Sequence, residues 1–324
     1  MDILKIKWND KERLQEYNEL AKNVGCVFNT IDWLALFNES IEIYGIYDKG
    51  GNLIGGFSLY KEKKLCFKIY RNPPFTPYIG PFLRMGAKNP VSILDAWKKV
   101  ITTIADFIDN LSYSIVSISL NKDVRDTQPF IWNKFKVNPR YTYILTLQKN
   151  IDNLFEEMSA ERRNDIRKAI RDNISVEKVK DFEIVKLLVT KTFHRQNKKI
   201  NEYFLNKILF QFAKEENSYA FVSFKNNIPI STVFCIYDKK TAYYLLGGYD
   251  YENKHHGAGA LAVWESIKYA KSLGLKYFDF EGSMVPDIEK FFRGFGGQLT
   301  PYFRISKASL PLEILLKFYK RGLF

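Results

Sequence analysis

The sequence predicts an α/β (α+β) protein of two tandem domains, each a mixed, mostly antiparallel sheet flanked by helices. Three observations lead there. The chain has 324 residues, and at roughly 150 residues per domain that means two hydrophobic cores. The hydrophobic periodicity runs twice through one succession, in which helices are followed by three strands, a helix and a further strand. An aromatic stretch also recurs. Phe130-Ile131-Trp132-Asn133-Lys134-Phe135, with its following Arg140-Tyr141 strand, parallels Glu289-Lys290-Phe291-Phe292-Arg293-Gly294-Phe295 and its following Tyr302-Phe303 strand. The domains are set at 1–148 and 149–324.

In the first half, helices are expected over 10–23 and 31–38, the second capped by Asn29 or Thr30 and carrying Trp33, Leu34 and Phe37 on one face. Strands follow at Ile41–Tyr47, Leu53–Tyr60 and Leu65–Tyr70, split by the turn residues Asp48–Asn52 and the charged Lys61–Lys64. A Pro-rich loop at 72–77 leads to a helix over 90–110, a strand over 115–120, a helical turn near 129–132 and a strand over 141–147. In the second half, helices are expected over 151–171, 181–195 and 201–215, and strands over 219–225, 230–237 and 241–249. A helix over 257–272 ends at Gly274 as helices end at a C-terminal glycine. Strand 276–281, helix 287–292 and strand 301–305 complete the order.

Composition narrows the class. Hydrophobic residues are 46%, aromatics 16% and charged residues 26%, a balance that excludes disordered, collagenous and coiled-coil chains. No apolar run reaches the ~18 to 20 residues of a bilayer span, and Met1–Asp10 alternates charge with bulk where a signal peptide carries an apolar block. The expectation is a soluble, cytoplasmic protein. Cys26, Cys66 and Cys235 are odd in number and scattered among apolar residues, so they read as small buried hydrophobes. The net charge of +13 comes from 36 Lys and 13 Arg, spread evenly over both halves with no basic tail. That pattern serves solubility and leaves an anionic partner open, but DNA is not expected.

The sharpest motif is Lys254-His255-His256-Gly257-Ala258-Gly259-Ala260, between a strand and a helix whose apolar face is Leu261, Trp264, Ile267 and Ala270. Glycines let a ligand approach the backbone, and the first N–H groups of a helix favour phosphate. The alternative is a sharp strand-to-helix turn. His255 and His256 do not make a metal site, since neither a Cys nor a second pair of His is at hand. The sequence also lacks a Ser or Cys nucleophile motif and a Walker loop.

On these residues the chain resembles the Gcn5-related N-acetyltransferase (GNAT) superfamily, whose cofactor loop reads Arg or Gln, two residues, Gly, one residue, then Gly or Ala. Lys254, Gly257 and Gly259 stand in those positions. Tandem GNAT-like halves, an Arg-rich helix before the second half, Gly247-Gly248, the run Phe278–Ser283 and the Gly-Phe-Gly-Gly of 294–297 look like the Fem-type branch. That branch includes peptidyltransferases that add amino acids to peptidoglycan precursors, and related acyltransferases. The resemblance implies an acyl-CoA donor whose pyrophosphate is held by the N–H groups of residues 255–260. An aminoacyl-tRNA donor is the alternative it also implies, although the coiled-coil arm of many such peptidyltransferases has no counterpart in this sequence.

The acid–base candidates lie on strand 276–281, where a period of two places Tyr277, Asp279 and Glu281 on one face. Glu281, at the open end, is the expected base, with Asp279 and then His194 as alternatives. Tyr244, or its neighbours Tyr243 and Tyr249, would protonate the leaving group. Asp279 reads equally as a structural carboxylate. Arg163, Arg167 and Arg171 share one helix face at i, i+4 spacing, which suits either an anion clamp or a solvated face. Arg195, beside His194, and Arg293 flank the expected acceptor cleft.

The function expected is N-acyl transfer from a CoA thioester, without a metal, to an amine on a sugar, peptide or cell-envelope precursor. The first domain, whose corresponding turn is Arg84-Met85-Gly86-Ala87, would shape the acceptor cleft. A non-catalytic binding protein on the same scaffold is the rival. The amphipathic, basic stretch Leu310–Phe324 would pack on the second domain, with a membrane-surface contact as its alternative.

Overall fold

The computed structural model describes residues 1–86, 89–282 and 284–319. Ala87 of the first-domain turn, Ser283 of the 278–283 motif and residues 320–324 of the C-terminal stretch lie outside the described residues.

The chain packs as two compact units, Met1–Arg140 with Pro301–Phe324, and Tyr141–Thr300. The elements in chain order are β1 (Asp2–Ile6), α1 (Lys11–Val24), α2 (Ile31–Leu34), β2 (Ile41–Tyr47), β3 (Leu53–Lys64), β4 (Phe67–Arg71), β5 (Phe82–Leu83), α3 (Pro90–Asp109), β6 (Ile115–Ser119), α4 (Gln128–Trp132) and β7 (Lys136–Thr146). Then come α5 (Ile151–Glu156), α6 (Ala160–Arg171), β8 (Ser175–Val179), α7 (Phe182–Arg195), α8 (Glu202–Lys207), β9 (Ser218–Lys225), β10 (Ile228–Tyr237), β11 (Thr241–Tyr249), α9 (Ala258–Ser272), β12 (Tyr277–Asp279), α10 (Pro286–Arg293), β13 (Gln298–Ala308) and α11 (Leu310–Tyr319).

The expected duplication is visible in the strand order. The first unit's strands run β1-β2-β3-β4-β6-β13 and the second's run β8-β9-β10-β11-β12-β7. Within each unit the pairings are antiparallel except one, β4 with β6 and β11 with β12. In both cases a helix, α3 or α9, carries the chain across, as parallel neighbours require.

The units do not follow the 148/149 boundary. β7, which follows β6 in sequence, pairs with β12 at Tyr277↔Thr146 to Asp279↔Ile144. β13, which follows β12, pairs with β6 at Arg304↔Ser119 to Ala308↔Ile115. Each unit thus takes its last strand from the other half of the sequence, so residues 301–319 pack with the first unit. Helix α11 goes with them instead of with the second domain, and Leu310, Ile314, Leu315 and Phe318 along it are exposed.

Other departures have local causes. The helix expected over 151–171 breaks where Ser159 caps α6 by accepting the N–H of Arg162. Polar alternation hid the short strands β1 and β8. Cys66 is exposed, not buried, because Leu65, with φ of 55°, turns the chain between β3 and β4. The second unit's core is built by Leu145, Leu154, Ile166, Val233, Trp264, Phe278, Phe280 and Phe295, which joins α6 and α9 to the sheet beneath the site.

Candidate functional site

Strands β11 and β12 pair in parallel for only three residues, Thr241↔Tyr277 to Tyr243↔Asp279. β12 then ends while β11 continues to Tyr249. Beyond that point the second unit holds a cleft of about 850 Å³, lined by Tyr244, Gly247 and Tyr249 from β11, by Phe280 and Glu281 from the end of β12, and by Arg162, Arg195 and Phe291 from the helices. A bulge sharpens the divergence. Phe234 pairs with Leu246 and Cys235 with Tyr244, so Leu245 is an extra residue in β11, and it faces the cleft.

The two carboxylates at the end of β12 have different roles. Asp279 is fully buried, and its Oδ1 accepts from Thr142 Oγ1 at 2.6 Å and from the Glu281 N–H at 2.9 Å. It is held as a structural carboxylate and does not line the cleft. Glu281 does not continue the strand face. Its φ is 56°, a left-handed conformation that costs a non-glycine residue on the order of 1 kcal/mol. The turn sends its side chain into the cleft, where Oε1 is buried and has no hydrogen-bond partner among the described residues. Burial, with the nearby Asp279 charge, raises the Glu281 carboxyl well above the usual carboxylate range.

Tyr244 stands on the opposite strand with its ring edge-on to Phe292 at 5.4 Å. Its hydroxyl approaches Gly247 so closely that a Cβ built there would lie 2.3 Å from it. Burial, then the adjacent Cys235, raises the phenol above its ordinary value, so it stays protonated at neutral pH. The other two tyrosines are engaged, Tyr243 with Asp238 at 2.8 Å and Tyr249 with the His255 carbonyl at 3.0 Å. Cys235 is buried and pushed up to about 12 by burial, so it is a neutral thiol. Among the described residues no group of three or more His, Cys, Asp or Glu is arranged to hold a metal ion.

The glycine loop over 254–260 is half open. A Cβ on Gly259 would meet nothing within 4 Å, and Gly259 lines the cleft. A Cβ on Gly257 would lie 2.0 Å from the Asp165 carbonyl oxygen, so that glycine exists to let α6 lie against the start of α9. The Gly257 N–H donates to His255 Nδ1 at 3.2 Å and the Ala258 N–H to the His255 carbonyl at 3.1 Å. His255 Nε2 meets Asp172 at 3.0 Å and His256 Nε2 meets Asp165 at 2.9 Å. Lys254 is exposed over the Tyr251 ring at 4.2 Å, outside the cleft. Of the cradle expected for residues 255–260, Gly259 is therefore the open part, where the dipole of the 15-residue helix α9 favours an anion, and Ala260 is buried in the core.

The arginine stripe separates. Arg163 donates to the Glu156 carbonyl at 2.6 Å and caps the end of α5, Arg167 lies over the Phe155 ring at 5.5 Å, and Arg171 is 75% exposed. None of the three lines the cleft. Arg195 does, and it stacks on Tyr251 at 4.9 Å. His194 is exposed outside it, and Arg293 pairs with Glu289 at 3.1 Å outside it. The residues that the sequence reading passed over are Arg162 and Asp165, both 5% exposed and paired at 2.6 Å. Their signal was present. Positions 162, 166 and 169 repeat at helical spacing, and a charged side chain on that stripe must be buried with a partner.

Comparison with known proteins fits this geometry. Residues 160–293 match the family model of the acetyltransferase (GNAT) domain. No curated protein matches the sequence. Among solved structures the chain is similar to FemX, at 15% identity and a TM-score of 0.70 over 98% of this chain and 100% of that one. It is also similar to L-PGS from Bacillus licheniformis, at 13% identity and a TM-score of 0.57 over 98% of each chain. A third likeness is to a tandem GNAT protein from the clavulanic acid biosynthesis pathway, at 10% identity and a TM-score of 0.55 over 94% of this chain and 98% of that one. The chain thus has the tandem GNAT-like, Fem-type fold expected from its sequence, with a GNAT domain in the second unit. That domain supports an acyltransferase.

Proposed function

We propose that this chain is an N-acyltransferase that moves an acyl or aminoacyl group from an activated donor to an amine on a sugar, peptide or cell-envelope precursor. The observation that carries this reading is the Glu281 carboxyl, whose buried Oε1 has no hydrogen-bond partner among the described residues, in a left-handed backbone turn facing the cleft where β11 and β12 part. An amine bound at neutral pH is mostly protonated, and Glu281, with its raised carboxyl, is matched to take that proton. The donor supplies an activated carbonyl and a leaving thiolate or alkoxide. In this reading the backbone at the Leu245 bulge, which lines the cleft, meets the oxyanion charge that develops on the donor carbonyl. Tyr244, kept protonated by burial, gives its proton to the leaving group.

An acyl-CoA donor is supported by the GNAT match and by the open Gly259 at the start of α9. A second reading, an aminoacyl-tRNA ester, is favoured by the closure of Gly257 against α6, which removes part of the diphosphate cradle. Incubation of the full chain with labelled acetyl-CoA or aminoacyl-tRNA and a panel of amino sugars and peptides tests the proposal. Transfer of label to an amine is the expected result. Donor binding by folded protein with no transfer to any amine would leave a binding protein on this scaffold.

A further inference from the structure

The cleft contains a buried cation to which the proposed acid–base chemistry gives no role. Arg162 is 5% exposed and lines the cleft. Its guanidinium lies over the rings of Phe291 at 4.4 Å and Phe295 at 5.6 Å, and Nη1 donates to Asp165 Oδ2 at 2.6 Å. A guanidinium has five N–H donors. Here Nε is buried without a partner, and no hydrogen bond reaches Nη2 among the described residues.

The local charges do not satisfy it. Asp165, its one carboxylate partner, is shared, because Oδ1 also meets His256 Nε2 at 2.9 Å. Glu161, the next carboxylate along the cleft, stands 3.5 Å from Lys290. A buried cation with at least three of its five donors idle is costly unless a ligand completes it. The aromatic rings pack against the planar guanidinium and restrict where it can lie, and its planar fork suits a two-oxygen anion.

We propose that Arg162 is the anion-binding subsite of this cleft, taking a carboxylate or phosphate oxygen of a substrate on its free edge. The subsite deepens the acyl-transfer reading and rests on it for the identity of the substrates. The anion can come from the donor's diphosphate or from an acidic group on the amine acceptor. Arg162 acts by holding that group, while Glu281 and Tyr244 handle protons.

The test uses matched probes that differ by the anion, measured by calorimetry on the full chain: 4′-phosphopantetheine against pantetheine, lysine against cadaverine, and glucosamine 6-phosphate against glucosamine. Charge-assisted hydrogen bonds to a guanidinium should favour the anionic member of at least one pair by about 10- to 100-fold. A preference in the first pair assigns the donor, and one in the other pairs assigns the acceptor. Arg162→Gln should remove that preference while leaving affinity for the neutral member within about twofold. Should Arg162→Gln fail to fold, the double variant Arg162→Gln with Asp165→Asn leaves no unpaired buried charge and carries the same reading. No preference in any pair for the native protein, or a preference that survives in the folded variant, overturns the proposal. Because binding is read without turnover, failure of acyl transfer alone leaves these outcomes unchanged.

Discussion

Asp279 Oδ1 accepts the backbone N–H of Glu281 at 2.9 Å, so one buried carboxylate fixes the turn that presents the other to the cleft. Asp279 also adds to the rise of the Glu281 carboxyl, after burial. Asp279→Asn keeps an oxygen that can accept from Glu281 and Thr142 but removes the charge. The Glu281 carboxyl should then fall toward the ordinary carboxylate range. The acidic limb of the pH profile of kcat/KM should move to lower pH, while the rate above the limb falls less than in Glu281→Gln. An unmoved limb would show that Glu281 is not the group titrating there.

The two glycines of the donor loop should separate in their effects. Gly257→Val drives a side chain into the Asp165 carbonyl and should cost about 3 kcal/mol or more in folding stability, read by denaturant unfolding. Gly259→Val enters open space in the cleft. It should leave the unfolding midpoint nearly unchanged and weaken donor binding at least about tenfold, a loss of ~1.4 kcal/mol.

The exposed arginines should matter little to the acceptor. Arg167→Gln with Arg171→Gln should leave the acceptor KM within about twofold, since neither side chain lines the cleft. Arg163→Ala should instead cost about 1 kcal/mol of stability, because it strips the hydrogen bond on the last turn of α5. Steady-state kinetics and thermal unfolding separate the two effects.

Acid stability should depend on Asp250, in the turn between β11 and the donor loop. Hydrogen bonding to Lys191 at 2.7 Å, with further hydrogen bonds from Asn253 and the Glu252 N–H, lowers its carboxyl from 3.8 to about 2. The folded value is depressed, so the stabilisation is fully present above the unfolded value and is lost as pH falls through about 2. Asp250→Asn should cost about 1 kcal/mol at neutral pH, reduced by solvent screening because Lys191 is 41% exposed. The difference between variant and parent should shrink below pH 4. A pH series of urea unfolding measures it.

The parts of this protein that follow local periodicity were legible in the sequence. Strands β2, β9, β10 and β11 and helix α9 fall within a few residues of expectation, and so does the duplicated order of elements. Where tertiary packing decides, the reading failed. Nothing local says that β7 pairs with β12 and β13 with β6, because each exchange depends on partners well over one hundred residues away. A period of two put Glu281 on the face of Asp279, but the strand ends at Asp279 and a positive φ redirects the side chain. The glycine motif was seen, but whether a glycine faces a ligand or a neighbouring helix depends on the position of α6, which spacing does not reveal. Arg162 and Arg163 are adjacent in sequence, and only the helix phase separates a buried cleft cation from a helix cap.

The central claim is that Glu281 takes the proton of the acceptor amine. Its most direct test is the pH dependence of kcat for the parent and Glu281→Gln, with whichever donor and amine give transfer. A general base is typically worth ~10²–10⁴-fold, so the variant should lose at least about 100-fold at neutral pH and recover part of it at high pH, where free amine is abundant. Equal turnover by parent and variant across the pH range would contradict the account.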